Sequence, residues 1–211
     1  PDINVILGDR DEMLASAIPA YHMNIPNAQI HGGDRSGGID EYTRHAITKI
    51  SNIHFAPSQK SKERILRMGE NPKYVFFTGS PAIDEVKNNL ITDKKTLESK
   101  YGFKFSGNEI LLVQHPVTTQ IENTKNQIIN SLKAIQMVNK PTIAVAPNSD
   151  AGNNIIFKHL EAFSKSHPSF MLFKSFPRSD YLGMLKNCKV LVGNSSSGII
   201  EASYFKIPVV N

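Results

Sequence analysis

Three polar segments follow short β-branched runs and carry residue types that can do chemistry. Residues 8–12 read Gly-Asp-Arg-Asp-Glu, residues 31–41 hold four glycines within seven positions, and residues 193–198 contain three consecutive serines. So many glycines are costly in chain entropy, which makes an ordinary connector a poor explanation of the second segment. The three segments are therefore the first candidates for a ligand site.

The first two segments are rich in carboxylates, the groups typical of general acid–base catalysis. A structural interpretation stands beside this one. Asp9 followed by Glu12 is an acidic variant of a helix capping box, and Asp40 with Glu41 in the first turn of a helix complements the helix dipole. Both interpretations are open at this point. His31 and Asp34 offer too few ligands for a metal site.

The serine segment precedes a predicted helix over residues 199–205. Hydroxyls and free amides at such a position favour binding of an anion, for example a pyrophosphate. Glu201, about one turn into the helix, is suited to accept hydrogen bonds from ribose hydroxyls. A serine nucleophile is not indicated, because the Gly-x-Ser-x-Gly pattern is missing. Residues 114–119 and 147–153 also follow predicted strands, and turns with helix caps explain most of them, including Thr118 and Thr119 as caps.

The elements that must position these segments alternate between strands and amphipathic helices. Strands that are apolar throughout favour parallel sheets covered on both faces. The chain is therefore predicted to be α/β, and a Lys-rich helical connector between about 81 and 107 places a domain boundary near residue 90. The predicted strands are 4–7, 28–31, 54–56, 75–78, 110–114, 142–146, 170–173, 190–192 and 208–210.

Composition excludes several classes of protein. The 211 residues are 40% hydrophobic and carry a net charge of +5, which is ordinary globular composition. The bases are scattered and no nucleic-acid motif occurs, so no nucleic-acid partner is predicted; no apolar stretch reaches the roughly 20 residues of a membrane span. The single cysteine, Cys188, excludes a disulfide framework and indicates a reducing cytoplasm. Both ends look cut within the fold.

Taken in order, five blocks closely resemble the UDP-N-acetylglucosamine 2-epimerase family, and most closely its hydrolysing branch, which makes N-acetylmannosamine-type sugars for sialic or legionaminic acids. These blocks are residues 8–10, 31–49, 114–119, 148–152 and 193–201. The resemblance implies a GT-B fold with two Rossmann-like domains, 1–90 on the sugar side and 91–211 on the UDP side. It also implies anti elimination of UDP followed by addition of water, no cofactor, and a homo-oligomer, dimer or tetramer.

The same resemblance implies the site residues. Asp9 and Asp40 are the expected acid/base carboxylates near C2 and C1 of the sugar, with Glu41 as a neighbour that shares the role. His31 stands where many relatives have a catalytic glutamate. His115 and the serines are expected to hold the diphosphate, Glu201 the ribose. The full set of expected binding residues is Arg10, His115, Asn148, Asp150, Ser195, Ser196, Ser197, Gly198 and Glu201.

Two alternatives to the hydrolysing epimerase stay open. One is the non-hydrolysing epimerase, which adds UDP back to the sugar; Asp40 and the 114–119 block favour the hydrolysing enzyme over it. The other is a UDP-sugar-binding fragment that is weakly active or inactive alone, since relatives extend beyond both ends of these 211 residues.

Overall fold

A computed structural model describes residues 1–88 and 90–211. The strands among these residues are β1 Asn4–Leu7, β2 Asn27–Ile30, β3 Ile53–Ala56, β4 Val75–Phe77, β5 Ile110–Val113, β6 Thr142–Val145, β7 Phe170–Phe173, β8 Val190–Val192 and β9 Val209–Val210. The α-helices are α1 Asp11–His22, α2 Ile39–Lys49, α3 Gln59–Arg67, α4 Pro81–Lys87, α5 Lys94–Tyr101, α6 Thr124–Val138, α7 Asn153–Ser166, α8 Arg178–Asn187 and α9 Glu201–Phe205.

The chain divides into two compact units, Pro1–Pro81 (unit 1) and Ala82–Asn211 (unit 2). The sequence places the boundary near residue 90. The assignment of the sugar to residues 1–90 and of UDP to residues 91–211 stays a prediction.

Unit 1 is built on a parallel sheet in the order β1-β2-β3-β4, and a helix connects each strand to the next. Buried amides on β2 tie those helices to the sheet. The Asn27 amide donates to the carbonyls of Ala17 and Ile50 at 3.0 and 2.9 Å, and the Gln29 amide donates to the carbonyl of Arg44 at 3.1 Å. These bonds fix α1 and α2 over β2, so the loops at the carboxyl edge of the sheet start from rigid supports.

Unit 2 is a parallel sheet in the order β7-β6-β5-β8-β9. From β5 the chain first builds outward through β6 and β7, and then returns to add β8 and β9 on the other side. The strand order therefore reverses between β5 and β8, and open α/β sheets bind ligands outside the carboxyl ends of strands at such a reversal. Residues of β5 point alternately into two apolar cores, Leu111 and Val113 into one, Ile110 and Leu112 into the other.

The predicted strands are all found, with ends that agree to within one residue. The predicted α/β class is confirmed, because every strand pair in the two sheets is parallel. The apolar strand β5 is buried throughout, whereas β4 and β9 keep exposed apolar side chains. The helix expected over 199–205 begins later, at Glu201, because the serine segment forms a 3-10 turn over Ser196–Gly198 first. Among the described residues, none of the helices has the length and apolar character needed to cross a bilayer.

Candidate functional site

In unit 1, Asp9 lies directly after β1 and is held by a charge. Its carboxylate accepts a hydrogen bond from the Arg44 guanidinium on α2. The residue at the N-cap of α1 is Arg10, and no side chain caps that helix. The capping interpretation of Asp9 is therefore wrong, because the carboxylate is directed to an arginine 35 positions away.

Arg44 is the organising cation of this region, and sequence patterns give it no such role. Its side chain is buried, and besides Asp9 it donates to the carbonyl of Asp34 at 2.8 Å and to the Ser36 hydroxyl at 3.2 Å. A buried guanidinium with several acceptors is rigid and well stabilised. One side chain thus joins the end of β1 to the glycine-rich loop.

Close packing requires some glycines of the loop but not others. A Cβ on Gly33, which has φ of +81°, would lie 2.4 Å from the carbonyl oxygen of Ser61, and one on Gly32 would lie 2.5 Å from the Gln29 side chain. These two glycines let the loop pack against α3 and β2. Gly37 and Gly38 have no atom within 4 Å of such a Cβ. Packing thus explains half of the glycine density that pointed to a ligand.

Glu41, in the first turn of α2, belongs to the same network. Glu41 accepts a hydrogen bond from the backbone amide of Ser36 at 2.7 Å, and this bond, helped by the nearby Arg35, lowers the pKa of the Glu41 carboxyl. The preceding residue, Asp40, is half-buried in the first turn of α2. The structure therefore connects Asp9 to Glu41 through Arg44 and Ser36.

His31 follows β2 directly and has a left-handed backbone conformation, φ +66°, which is uncommon for a residue with a side chain. Its ring Nε2 lies 2.8 Å from the Ser80 hydroxyl, and its Nδ1 lies 3.7 Å from the Asp34 carboxylate. Strained residues of this kind cluster at functional sites.

In unit 2, His115 and Asn194 join the ends of β5 and β8. The His115 amide donates to the Asn194 side chain at 2.8 Å, and that side chain donates back to the His115 carbonyl at 3.0 Å. The ring Nδ1 of His115 accepts from the Asn148 amide at 3.1 Å. Because Nδ1 acts as an acceptor, the neutral ring carries its proton on Nε2 and is a hydrogen-bond donor there.

Neither the segment after β5 nor the one after β6 places a capping side chain on the helix that follows it, so the predicted helix caps are wrong in both. The 3-10 turn over Thr118–Asn123 has Val117 at its N-cap and no capping side chain, so the prediction that Thr118 or Thr119 caps a helix is wrong. After β6, the Asn148 amide group donates to the Asp150 carboxylate at 2.6 Å. This bond closes the predicted turn, which ends at Gly152 with φ of +96°.

The three serines are not equivalent. Ser195 is half-buried and Ser196 is exposed, whereas Ser197 is buried and hydrogen-bonded to the Tyr181 hydroxyl of α8. The Ser195 hydroxyl oxygen accepts from the Ser197 amide at 3.3 Å and lies 3.0 Å from the Ser197 hydroxyl. Burial raises the pKa of Tyr181 and keeps its phenol protonated. Ser197 therefore supports the turn from inside, while Ser195 and Ser196 stand at its surface.

Two glycines let the serine turn approach the sheet. A Cβ on Gly193 would fall 2.0 Å from the carbonyl oxygen of Val113, and one on Gly198 would lie 3.0 Å from Leu191 and Val209. The predicted binding residue Gly198 thus has a packing role of its own.

The Glu201 carboxylate is buried, and only one of its two oxygens has a hydrogen-bond partner among the described residues. One carboxylate oxygen accepts from Arg178 at 2.5 Å, and Arg178 also donates to Glu85 at 2.8 Å. The other oxygen, Oε2, is buried and has no hydrogen-bond partner among the described residues. A buried carboxylate oxygen left unpaired costs free energy, which a ligand with two adjacent hydroxyls would recover.

No group of three potential metal ligands occurs among residues 1–88 and 90–211. Cys188 is buried and burial raises its thiol pKa, so it is an apolar core residue.

Comparison with known proteins identifies the chain's relatives. The family model described as UDP-N-acetylglucosamine 2-epimerase matches residues 1–211. A relative from Legionella pneumophila, named UDP-N,N'-diacetylbacillosamine 2-epimerase (hydrolyzing), is 40% identical and covers 100% of this chain and 56% of its own length. A Campylobacter jejuni protein, named GDP/UDP-N,N'-diacetylbacillosamine 2-epimerase (hydrolyzing), is 37% identical with the same coverage. The chain thus spans little more than half the length of these relatives.

Solved structures agree with the fold. The crystal structure of UDP-GlcNAc 2-epimerase from Neisseria meningitidis bound to UDP-GlcNAc matches with a TM-score of 0.83 at 20% identity, over 100% of this chain and 59% of that one. The Methanocaldococcus jannaschii enzyme in complex with UDP-GlcNAc and UDP matches with a TM-score of 0.80 at 22% identity, over 99% and 59%. The predicted fold class, two Rossmann-like units of the GT-B type, is confirmed.

Proposed function

The chain belongs to the UDP-N-acetylglucosamine 2-epimerase family. On that premise we propose that it is part of a hydrolysing 2-epimerase, which converts a UDP-linked 2-acetamido sugar and water to UDP and the free sugar with inverted C2. The observation that carries this proposal is 40% identity over the entire chain to a relative named as hydrolysing. Because the two hydrolysing relatives are named for a 2,4-diacetamido sugar, UDP-N,N'-diacetylbacillosamine is the first substrate to test and UDP-N-acetylglucosamine the second.

The chemistry proposed for unit 1 is removal of the weakly acidic C2 proton. A positioned carboxylate typically accelerates such a transfer about 100- to 10,000-fold. We assign removal of this proton in the elimination step to Asp9, and the return of a proton in the hydration step to Asp40 as an acid. The lowered pKa of Glu41 makes it a weaker base, and its bond to Ser36 supports a role in holding the loop. His31 is assigned to the hydration step.

The chemistry proposed for unit 2 is stabilisation of the leaving UDP. Departure of UDP develops negative charge, and preorganised donors lower its free energy. Nε2–H of His115, the hydroxyls of Ser195 and Ser196 and the amides of their turn are the proposed donors, and Asn148 with Asp150 lines the site. This assignment is supported by the reversal of strand order between β5 and β8, because His115 follows β5 and the serine turn follows β8. Glu201 is proposed to accept from the ribose hydroxyls, supported by its unpaired buried oxygen.

Four finer assignments stay predictions. These are the position of Arg10 near the nucleotide, a homo-oligomeric state, a role in a sialic- or legionaminic-type pathway and cytoplasmic localisation. The last is supported by the single buried cysteine, which fits a reducing compartment.

Proton NMR in D2O with each UDP-sugar tests the proposal. We expect UDP and a free epimer that carries deuterium at C2. A mixture of UDP-sugar epimers would instead indicate the non-hydrolysing enzyme, and ligand binding without turnover would reduce the protein to a UDP-sugar-binding module. Titration with UDP alone, measured by calorimetry, separates loss of binding from loss of chemistry.

A further inference from the structure

Three side chains of unit 1 form a chain of polar contacts at one edge of its sheet. His31 follows β2, Ser80 follows β4 and precedes Pro81, and Asp34 lies in the loop after β2. The carboxyl ends of parallel strands share one edge, so the His31 ring reaches Ser80 across the end of β3. The ring lies between the two others, with Nε2 2.8 Å from the Ser80 hydroxyl and Nδ1 3.7 Å from Asp34.

The contacts of the ring decide its tautomer. An ionised carboxylate only accepts hydrogen bonds, so Asp34 favours a proton on Nδ1. With Nδ1 protonated, Nε2 of the neutral ring is an acceptor, and the Ser80 hydroxyl must donate its hydrogen to it. The lone pairs of Ser80 Oγ are then left to accept from another group. The same orienting logic operates in Ser-His-Asp sites, where contacts are often loose before a ligand binds.

Asp34 is itself fixed as the anionic end of this chain. Its Oδ1 accepts from the Ser61 hydroxyl of α3 at 2.5 Å, and Ser61 in turn lies 2.6 Å from the Ser58 hydroxyl. Burial alone would raise the pKa of the Asp34 carboxyl, but the nearby His31 ring and the hydrogen bond from Ser61 outweigh it and lower that pKa. Ser80 is half-buried, so its hydroxyl is within reach of a small ligand or water.

We propose that Ser80 is a further catalytic residue and Asp34 a positioning residue, which together with His31 form a proton relay for the addition of water. This inference rests on the proposed hydrolysing function. In that step the water oxygen bonds to C1 of the unsaturated sugar, and the C1–C2 double-bond pair takes a proton at C2 from a carboxylic acid of the site. The water gives one proton to Ser80 Oγ as Ser80 passes its own to Nε2 of His31, and Asp34 stabilises the resulting imidazolium.

The tautomer can be tested without any turnover. In ¹⁵N-labelled protein, with His31 assigned by comparison with His31→Gln, we expect the neutral ring to show a protonated Nδ1 and a bare, hydrogen-bonded Nε2. Asp34→Asn should move the ring toward the Nε2–H form, and Ser80→Ala should change the Nε2 shift alone. A ring protonated on Nε2 in the unmutated protein, or one unaffected by Asp34→Asn, would overturn the relay. Ser61→Ala, which loosens Asp34 and keeps its charge, should have the smaller effect.

The catalytic part is tested by following UDP, the unsaturated sugar intermediate and the free sugar together. In Ser80→Ala we expect UDP release to continue while hydration falls about 100-fold, so that the intermediate accumulates. Ser80→Thr keeps a hydroxyl and should restore most of the hydration rate, and the neighbouring exposed Thr78→Ala should leave it unchanged. Unaltered hydration in Ser80→Ala contradicts the proposal. Absence of UDP release by the unmutated protein would instead contradict the proposed function, and the NMR result would still decide the relay geometry.

Discussion

The candidate regions of the two units hold their groups by different means. In unit 1 the carboxylates depend on charge, with one buried guanidinium, Arg44, bonded to Asp9 and to the glycine-rich loop. In unit 2 the serine turn and His115 are held by neutral groups, namely the Asn194 amide and the Tyr181 phenol. Removing a charge from a buried pair leaves its partner unsatisfied, whereas removing one neutral hydrogen bond costs about 1 kcal/mol. Substitutions in the carboxylate region of unit 1 should therefore cost more free energy than substitutions in the serine turn of unit 2.

The largest effect is expected at Asp9. Asp9→Asn keeps the shape and one acceptor oxygen but removes the proposed base, so turnover should fall about 100- to 10,000-fold while the dissociation constant for UDP stays within about twofold. Steady-state UDP release and calorimetry with UDP measure the two quantities. Asp11→Asn, an exposed acid two positions on, is the matched control. A large loss of UDP binding in Asp9→Asn would make Asp9 structural.

The stability of unit 1 should depend strongly on Arg44. Arg44→Met leaves the Asp9 carboxylate and the Asp34 carbonyl without their cation. Breaking a fully buried pair costs about 3–5 kcal/mol, and since the Asp9 side chain is 24% exposed the loss should lie at or below the lower end of that range. Arg35→Met, which removes an exposed arginine 3.9 Å from Glu41, should cost less than about 1 kcal/mol. Urea denaturation compares the two variants. Equal losses would mean that Arg44 does not organise the loop.

The neutral region should give a moderate effect on binding. With both Ser195 and Ser196 changed to Ala, two donors are lost and the dissociation constant for UDP should rise about tenfold. Ser203→Ala removes a hydroxyl on α9 that donates to the Ile200 carbonyl at 2.9 Å, and UDP affinity should not change. Unchanged affinity in the double variant would remove the serines from the phosphate site.

The smallest effect is expected at Gly38. An added Cβ meets no atom within 4 Å and φ is −116°, so Gly38→Ala should lose only the N-cap preference of α2 for glycine over alanine, less than about 1 kcal/mol. Gly33→Ala places its Cβ 2.4 Å from the Ser61 carbonyl and should be strongly destabilising. Thermal unfolding of both variants checks this, and similar losses would show that conformational freedom, not close packing, requires both glycines.

Much of the fold was predictable from local pattern. Runs such as 110–113 and 190–192 are apolar at every position, as is typical of strands in a parallel sheet with both faces covered. For the same reason the segments 8–12 and 193–198 could be placed at strand ends. The helix over 199–205 was predicted two residues early, because a hydroxyl-rich turn has no periodic signal.

Local sequence pattern is enough to locate the strands and the polar segments that follow them, since both depend on residues near one another in the chain. Only the tertiary structure decided that Arg44 pairs with Asp9, that Tyr181 supports Ser197, that Arg178 leaves one oxygen of Glu201 unpaired, and that His31 meets Ser80. These partners are 16 to 49 positions apart. Such pairs form when the order of strands brings separate strand ends to one edge of a sheet, and no local periodicity encodes that order.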